Sequence, residues 1–244
     1  MNDPVSIRQA ARTLGLSSGR VRAIAARGQL SSAKLGDRWF VERAAVERRR
    51  RDGAREGRRF SPRNAWALLL LSSDEEVREI DPSVRSRLRR VLRLEGLSRL
   101  APRLVHRAEV LSFSAHPGEI AHLVEDPELV RSGISAAGEQ GFGLVSGREA
   151  DGYLCASTLK GFTARHALEP AGLEGNVRLR SVPMEAWGLL AGRQAAPRAA
   201  VALDLAEELD PRSSQIGKEA LRDLDRQWRD RGASPRHRPL TPAR

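Results

Sequence analysis

The 244-residue chain is poor in the side chains that build disulfides, metal clusters and membrane spans. Its one cysteine, Cys155, excludes an intramolecular disulfide and a cysteine-based zinc cluster. No stretch approaches the roughly 18 consecutive apolar residues that a transmembrane helix needs, and residues 66–71 are far too few. The N-terminus also lacks the apolar segment of a signal peptide. We therefore expect a cytoplasmic protein without a membrane partner.

The sequence also lacks a recognisable catalytic or cofactor-binding motif. Residues 138–143 contain three glycines, but the surrounding pattern predicts the end of a helix, not the strand-to-helix turn of a dinucleotide fingerprint. Gly217 and Lys218 lack the glycine loop and the hydroxyl of a phosphate-binding loop. His116 and His122 are six residues apart, so they do not share a helical face as paired metal ligands do. We expect all histidines to be surface or half-buried residues. No carboxylate pair stands apart from the solvated acids. We therefore expect no enzyme activity, no metal and no cofactor.

Positive charge is the strongest compositional signal, and it is unevenly distributed. The chain has 42 Lys and Arg against 31 Asp and Glu, which gives a formal net charge of +11. Residues 1–63 carry a net charge of +10, whereas residues 64–244 carry a net charge of +1. A genome-wide arginine bias would spread along the whole chain. This concentration therefore indicates that the N-terminal segment binds a polyanion.

Residues 5–41 predict two short helices followed by a β-hairpin. Ser6 is typical of a helix N-cap, and the apolar residues after it follow helical spacing: Ile7, Ala10, Ala11 and Leu14. Gly15 suits the turn that follows, and we expect Leu16 to anchor that turn in the core. Ser17 or Ser18 then caps a second helix, which Gly28 ends.

The second helix combines an apolar face with several arginines. Val21 and Ile24 are expected to point inward, whereas the basic residues fall on other faces: Arg20, Arg22 and Arg27. A short helix of this kind can lie in a major groove. Residues 30–35 and 38–41 predict the hairpin, joined at Gly36 and Asp37. Three side chains lie at or near its tip: Lys34, Arg38 and Trp39.

The order of these motifs resembles the winged helix-turn-helix of the excisionase and MerR-like families. The matching segments are residues 6–7 (SI) with 10–11 (AA), 14–17 (LGLS), 21–22 (VR), 27–30 (RGQL) and 34–39 (KLGDRW). The resemblance implies that the second helix enters the major groove of DNA and that a wing residue contacts the neighbouring backbone. It implies Arg20, Arg22, Lys34 and Arg38 as DNA contacts, beside Ser17, Ser18, Arg27 and Trp39. Alternatively, these small helices merely pack on the rest of the protein.

A helix predicted over residues 41–51 completes the first domain, which we place at residues 1–51. It ends in four consecutive arginines, Arg48, Arg49, Arg50 and Arg51. Such a run is either a solvated helix end or a set of non-specific phosphate contacts. Residues 52–60 contain two glycines and no large apolar residue before Phe60, and therefore predict a basic linker.

The rest of the chain predicts a larger domain. Residues 61–108 form a helical region, in which Ser61 caps a buried helix and Asp81 precedes a second one. Arg85, Arg89 and Arg93 share one face of that second helix, either as a solvated surface balanced by glutamates or as another phosphate-binding surface. Residues 97–106 predict one more short helix. Residues 109–231 mix strands and helices, and residues 232–244 predict a disordered tail. The predicted fold class is α+β, with a small winged helix-turn-helix joined to a larger mixed α/β domain.

The second half of the chain resembles the antitoxins of AbiEi-like abortive-infection systems. The matching segments are residues 61–69 (SPRNAWALL), 132–136 (SGISA), 176–183 (NVRLRSVP), 201–205 (VALDL) and 210–213 (DPRS). The resemblance implies a DNA-binding transcriptional regulator that acts as the autoregulating antitoxin of a nucleotidyltransferase-type toxin. Its partners would be repeats in its own promoter, the cognate toxin and a second copy of itself on DNA. Alternatively, the protein neutralises a partner by direct contact and binds DNA only incidentally, or it is an enzyme that modifies nucleic acids.

Overall fold

The chain divides into two compact units, residues 1–58 and residues 59–244. The computed structural model describes residues 4–14, 16–26, 30, 32–35, 38–43, 45–46, 58–145, 147–171 and 175–233. Both units combine helices with a sheet, so the fold is mixed α+β.

The described residues of the N-terminal unit include two helices, a three-stranded antiparallel sheet and the start of a further helix at Arg43. In chain order its elements are β1 (Pro4–Ser6), α1 (Ile7–Leu14), α2 (Ser18–Ala26), β2 (Ser32–Leu35) and β3 (Arg38–Glu42). Strand β3 lies in the centre, with Val5 of β1 opposite Val41 and Lys34 of β2 opposite Trp39. The helices and the hairpin agree with the sequence prediction. Strand β1 was missed because three residues are too few to show an alternating pattern.

The first helix begins at a reciprocal cap. The backbone N–H of Gln9 donates to Oγ of Ser6 over 3.3 Å, and the backbone N–H of Ser6 donates to Oε1 of Gln9 over 2.9 Å. The face predicted from spacing is buried, with Ile7, Ala10 and Ala11 in the core of this unit. Leu16 was expected to anchor the turn in that core, but it is 39% exposed. Leu30 is buried instead.

Strand β3 is longer than expected. The helix predicted from Val41 begins at Arg43, because Val41 and Glu42 still pair with neighbouring strands. Several other predictions lie outside the described residues: those on residues 47–57, which include Arg48 to Arg51, and those on Arg27, Gly28, Gly36, Asp37 and residues 234–244. Residues 232 and 233 were assigned to the tail, but they still belong to the last helix.

The C-terminal unit packs helices on both faces of a mixed five-stranded sheet. Its strands are β4 (Glu109–Ser114), β5 (Val130–Arg131), β6 (Ala150–Cys155), β7 (Glu169–Pro170) and β8 (Val177–Val182). The strand order is β5-β6-β8-β4-β7. Strands β6 and β8 are parallel, and the other pairs are antiparallel.

Two helices of this unit begin where the sequence predicts, after Ser61 and after Asp81. In chain order, the helices are α3 (Pro62–Ser72), α4 (Pro82–Glu95), α5 (Leu97–Leu100), α6 (Ile120–Glu125), α7 (Gly133–Ala137), α8 (Leu159–Arg165), α9 (Met184–Trp187), α10 (Arg198–Ala206) and α11 (Pro211–Ala233). The single helix predicted over residues 97–106 is instead the short α5 followed by two 3₁₀ turns. Pro102 explains the break, because proline cannot donate the backbone hydrogen bond that a continuing helix needs.

In helix α4 two leucines are buried, but the three arginines that were predicted to share one face differ in their exposure. Oδ1 of Asp81 accepts the backbone N–H of Ser83 over 2.8 Å, and Leu88 and Leu92 are buried. The predicted arginine face is divided. Arg85 is half-buried and donates to the carbonyl oxygen of Val77 over 2.7 Å, and Arg89 is also half-buried, whereas Arg93 is exposed.

Candidate nucleic-acid interface

An open groove of about 730 Å³ lies where α1, α2 and β3 of the N-terminal unit meet. Three guanidinium groups line it, and no carboxylate of the described residues does. Its polar and aromatic lining includes Gln9, Ser18 and Trp39, beside the three arginines Arg8, Arg12 and Arg22. A concave surface lined by charges of one sign focuses the electrostatic potential and attracts counter-ions. This groove is therefore suited to a polyanion.

Helix α1 presents two of the arginines. Arg8 and Arg12 are four residues apart, so their side chains lie one above the other on one face of the helix. Both are exposed, whereas Ala10 and Ala11 on the opposite side are buried. The reciprocal cap at Ser6 fixes the first turn of α1 and thereby the direction in which Arg8 leaves it. The helix thus turns its basic face to the groove and its apolar face to the core.

Helix α2 supplies the third arginine. The backbone N–H of Arg20 donates to Oγ of Ser17 over 3.2 Å, so Ser17 is the N-cap and Ser18 is the first helical residue. Ser18 and Arg22, four residues apart, both line the groove. Val21 is fully buried and anchors the helix.

The structure separates two arginines that the sequence placed together as DNA contacts. Arg20 and Arg22 are both exposed, but residues two apart on a helix differ by about 200° in direction. Arg22 lines the groove, whereas Arg20 does not. The groove instead brings Arg22 together with Arg8 and Arg12.

The hairpin contributes aromatic side chains to the groove. Trp39 and Phe40 of β3 line it, and Trp39 is half-buried because it also packs against the core of the N-terminal unit. Lys34 and Arg38 lie on the paired strands, with Lys34 opposite Trp39. The side chains of Lys34 and Arg38 lie outside the described part of the chain, as do Arg27 and the four arginines Arg48 to Arg51.

Sequence reasoning missed Arg8 and Arg12. A signal for them existed, because both lie opposite the apolar face of α1 at a spacing of four residues. The sequence could not show that this face lies beside Arg22, since that depends on how α1 packs against α2 and β3.

The C-terminal unit buries an ionic cluster that the sequence also did not reveal. Asp204, on the otherwise apolar helix α10, is fully buried. Its Oδ1 accepts hydrogen bonds from Arg107 over 2.8 Å and from the hydroxyl of Tyr153 over 2.7 Å, and its Oδ2 accepts one from the hydroxyl of Ser132. Nε of Arg180 lies 3.3 Å from Oδ1, and this arginine also pairs with Asp151.

The charges of this cluster balance each other. Burial alone would raise the pKa of Asp204, but Arg180 and Arg107 outweigh it and hold the pKa below its usual value. Burial raises the pKa of Tyr153, and the neighbouring Asp204 adds to the effect. Tyr153 therefore stays protonated and keeps donating to Asp204. Because both oxygens of Asp204 are occupied by protein donors, the cluster holds five segments of the chain together and is not an open catalytic site.

The expectation of a surface or half-buried histidine is wrong for His166, which is buried. Its Nδ1 lies 2.6 Å from Oε1 of Glu119, and its Nε2 lies 2.9 Å from Oδ2 of Asp126. The ring also packs against Phe162. This arrangement joins both ends of α6 to the end of α8.

In the described parts of the two units, no group of three or more His, Cys, Asp or Glu side chains could hold a metal ion. Cys155 is buried, and its sulfur lies 3.0 Å from the sulfur of Met184. Among the described helices, none is long and apolar enough to cross a membrane.

Comparisons with known proteins add no further constraint. No protein family matches this chain, and neither does any curated protein or solved structure.

Proposed function

We propose that the N-terminal unit is a winged helix-turn-helix that binds double-stranded DNA, and that the protein is a transcriptional regulator. One observation carries the proposal. The groove between two short helices and the central strand of a hairpin is lined by Arg8, Arg12 and Arg22 and by no carboxylate of the described residues. The concentration of the net charge in residues 1–63 supports the same conclusion.

The contacts divide into two kinds. Helix α2 enters the major groove, where Arg22 reads base edges as a bidentate donor and Ser18 contacts a base or a phosphate. Arg8 and Arg12 on α1 neutralise phosphates and fix the orientation of the unit. Arg20 lies on another face of α2 and contacts the flanking backbone. The wing, with Lys34 and Arg38, adds the contacts that the resemblance implies, and the run Arg48 to Arg51 adds non-specific phosphate contacts.

The resemblance to AbiEi-like antitoxins suggests a biological role. In this role the protein represses its own operon from promoter repeats, with two copies on two half-sites, and counteracts a nucleotidyltransferase-type toxin. The near-neutral net charge of residues 64–244 supports separate roles for the two units. The N-terminal unit locates the DNA, and the C-terminal unit provides the antitoxin activity.

DNA binding is tested by fluorescence anisotropy with the full chain and a duplex from its own promoter, at several salt concentrations. Replacing Arg8, Arg12 and Arg22 together by Ala should weaken binding and reduce the slope of log K against log[salt] by about 2, close to one unit for each of the phosphate contacts of Arg8 and Arg12. The matched control replaces three exposed arginines of the C-terminal unit, Arg87, Arg90 and Arg222. Equal affinities and slopes for both triple variants would contradict the proposal.

The antitoxin role is tested separately by co-expression with the product of the adjacent gene. We expect the full chain to restore growth that this product arrests. The variant with the three groove arginines replaced should also restore growth when it is expressed from an unrelated promoter, because the proposed antitoxin activity lies in the other unit. Failure of the wild-type chain to restore growth would remove the antitoxin role and leave the DNA-binding role intact.

A further inference from the structure

Gln9 of α1 lies in the groove of the N-terminal unit, and its side chain has a second role in the cap of the same helix. It is exposed, and Arg8 and Arg12 are its neighbours in the lining of the groove. Its amide is also the partner of Ser6 in the reciprocal cap. The cap therefore decides which atoms of the Gln9 amide are left for a ligand.

Two hydrogen bonds from Ser6 fix the orientation of this amide. Oε1 of Gln9 accepts the backbone N–H of Ser6 over 2.9 Å and the hydroxyl of Ser6 over 2.9 Å. A backbone N–H can only donate, so the atom that it contacts must be the oxygen of the amide. The opposite orientation would place the N–H groups of the amide against the N–H of Ser6. Both lone pairs of Oε1 are engaged in the cap, because a carbonyl oxygen has two of them.

The nitrogen of the Gln9 amide is left free by this arrangement. Nε2 carries two N–H groups, and no acceptor among the described residues takes a hydrogen bond from it. Gln9 therefore offers donors, and no acceptor, to the groove that it lines. A bidentate contact with adenine uses the oxygen and the nitrogen of a glutamine amide together, so the cap excludes Gln9 from that kind of base contact.

A phosphate oxygen is the acceptor that suits this donor. The first helix of a helix-turn-helix crosses the DNA backbone, and Gln9 and Arg12, three residues apart, are neighbours on the surface of α1. We infer that Gln9 donates from Nε2 to a phosphate beside those bound by Arg8 and Arg12, and that Ser6 is the positioning residue for this contact. The inference rests on the proposed DNA binding and adds an uncharged, pre-oriented contact to the charged ones.

Gln9→Met tests the contact, because it removes the donor without changing the charge. In anisotropy titrations of the full chain with the promoter duplex, it should weaken binding about 10-fold, as the loss of a hydrogen bond to a charged group does. The slope of log K against log[salt] should stay unchanged, whereas a displaced α1 would lose the contacts of Arg8 and Arg12 and reduce the slope by about 2. Binding to a scrambled duplex should fall by the same factor, since a phosphate contact carries no sequence information.

Gln9→Glu separates the donor from the cap. Its carboxylate can still accept the N–H of Ser6, so the free energy of unfolding of the N-terminal unit should not fall. Thr13→Glu is the matched control, since Thr13 is exposed on the same helix but does not line the groove, and both variants add one negative charge. We expect Gln9→Glu to bind the promoter duplex at least about 10-fold more weakly than Thr13→Glu does.

Several outcomes of these titrations would overturn the role of Gln9. They are wild-type affinity of Gln9→Met, a salt slope of this variant reduced by about 2, an effect of this variant on the promoter duplex alone, and equal affinities of Gln9→Glu and Thr13→Glu. Each of them leaves DNA binding by the N-terminal unit intact. If the wild-type chain itself fails to bind the duplex, the proposed function fails together with this inference.

Discussion

The Nε2 atom of His166 lies 2.9 Å from a carboxylate oxygen of Asp126. The other ring nitrogen lies 2.6 Å from Glu119, so both nitrogens face acceptors. The ring of His166 therefore bridges the two carboxylates that flank α6, and it donates a hydrogen bond to at least one of them.

His166→Phe should lower the free energy of unfolding of the C-terminal unit by about 1–3 kcal/mol, because it leaves Asp126 and Glu119 without their shared donor. His122→Phe is the matched control, since His122 lies on the exposed side of α6. It should change stability by less than about 0.5 kcal/mol. Urea unfolding followed by tryptophan fluorescence measures both. Equal effects of the two variants would show that the two carboxylate contacts contribute nothing.

Asp204→Ala should lower the free energy of unfolding far more than the loss of an acidic side chain at the surface does. It leaves Arg107 and Arg180 buried without their common counter-charge, for which we expect a loss of about 3–5 kcal/mol. Asp223→Ala removes the partner of Arg226 at an exposed position and should cost less than about 1 kcal/mol. Thermal and urea unfolding of both variants provide the comparison. A mild effect of Asp204→Ala would mean that water enters and replaces the carboxylate.

Arg20 and Arg22 should differ in their effect on DNA binding, since only Arg22 lines the groove. Arg22→Ala should lower the preference for the promoter duplex over a scrambled duplex by about 1–3 kcal/mol, the range for a bidentate base contact. Arg20→Ala should weaken binding to both duplexes alike, as a lost phosphate contact does. Competition anisotropy with the two duplexes measures the difference. The opposite result would place Arg20 at the bases.

Replacing each of two helical glycines by alanine should change the free energy of unfolding in opposite directions. A Cβ at Gly217 of α11 would lie 2.2 Å from the backbone nitrogen of Ala206, so the close packing of α10 and α11 depends on this glycine. Gly217→Ala should destabilise the unit by about 1–3 kcal/mol or more. A Cβ at Gly161 of α8 meets nothing within 4 Å, and Gly161→Ala should stabilise by about 0.5–1 kcal/mol. Denaturant unfolding of the two variants measures both changes in the free energy of unfolding. If Gly217→Ala leaves this free energy unchanged, the close packing of α10 and α11 does not depend on the glycine.

The predictable parts of the fold were those with a strong local pattern. Helices α3 and α4 combine many apolar residues with a proline at their first position, and the sequence predicted both. Strands β5 and β7 have two residues each, which is too short for any period. The cluster around Asp204 was missed because Arg107 is 97 residues away in sequence and meets it only in the folded chain. Its one local signal was a single carboxylate within an apolar helix.

The position of β8 has a consequence for the order of folding during synthesis. The three described strands of the N-terminal unit lie within residues 4–42. In the other sheet, the middle strand β8 is the last strand to be synthesised, and β4, its antiparallel partner, precedes it by more than 60 residues. Pairing over such a separation is slow, because a long loop must close first. A nascent chain can therefore carry a folded N-terminal unit while β4 and β6 still lack the strand between them.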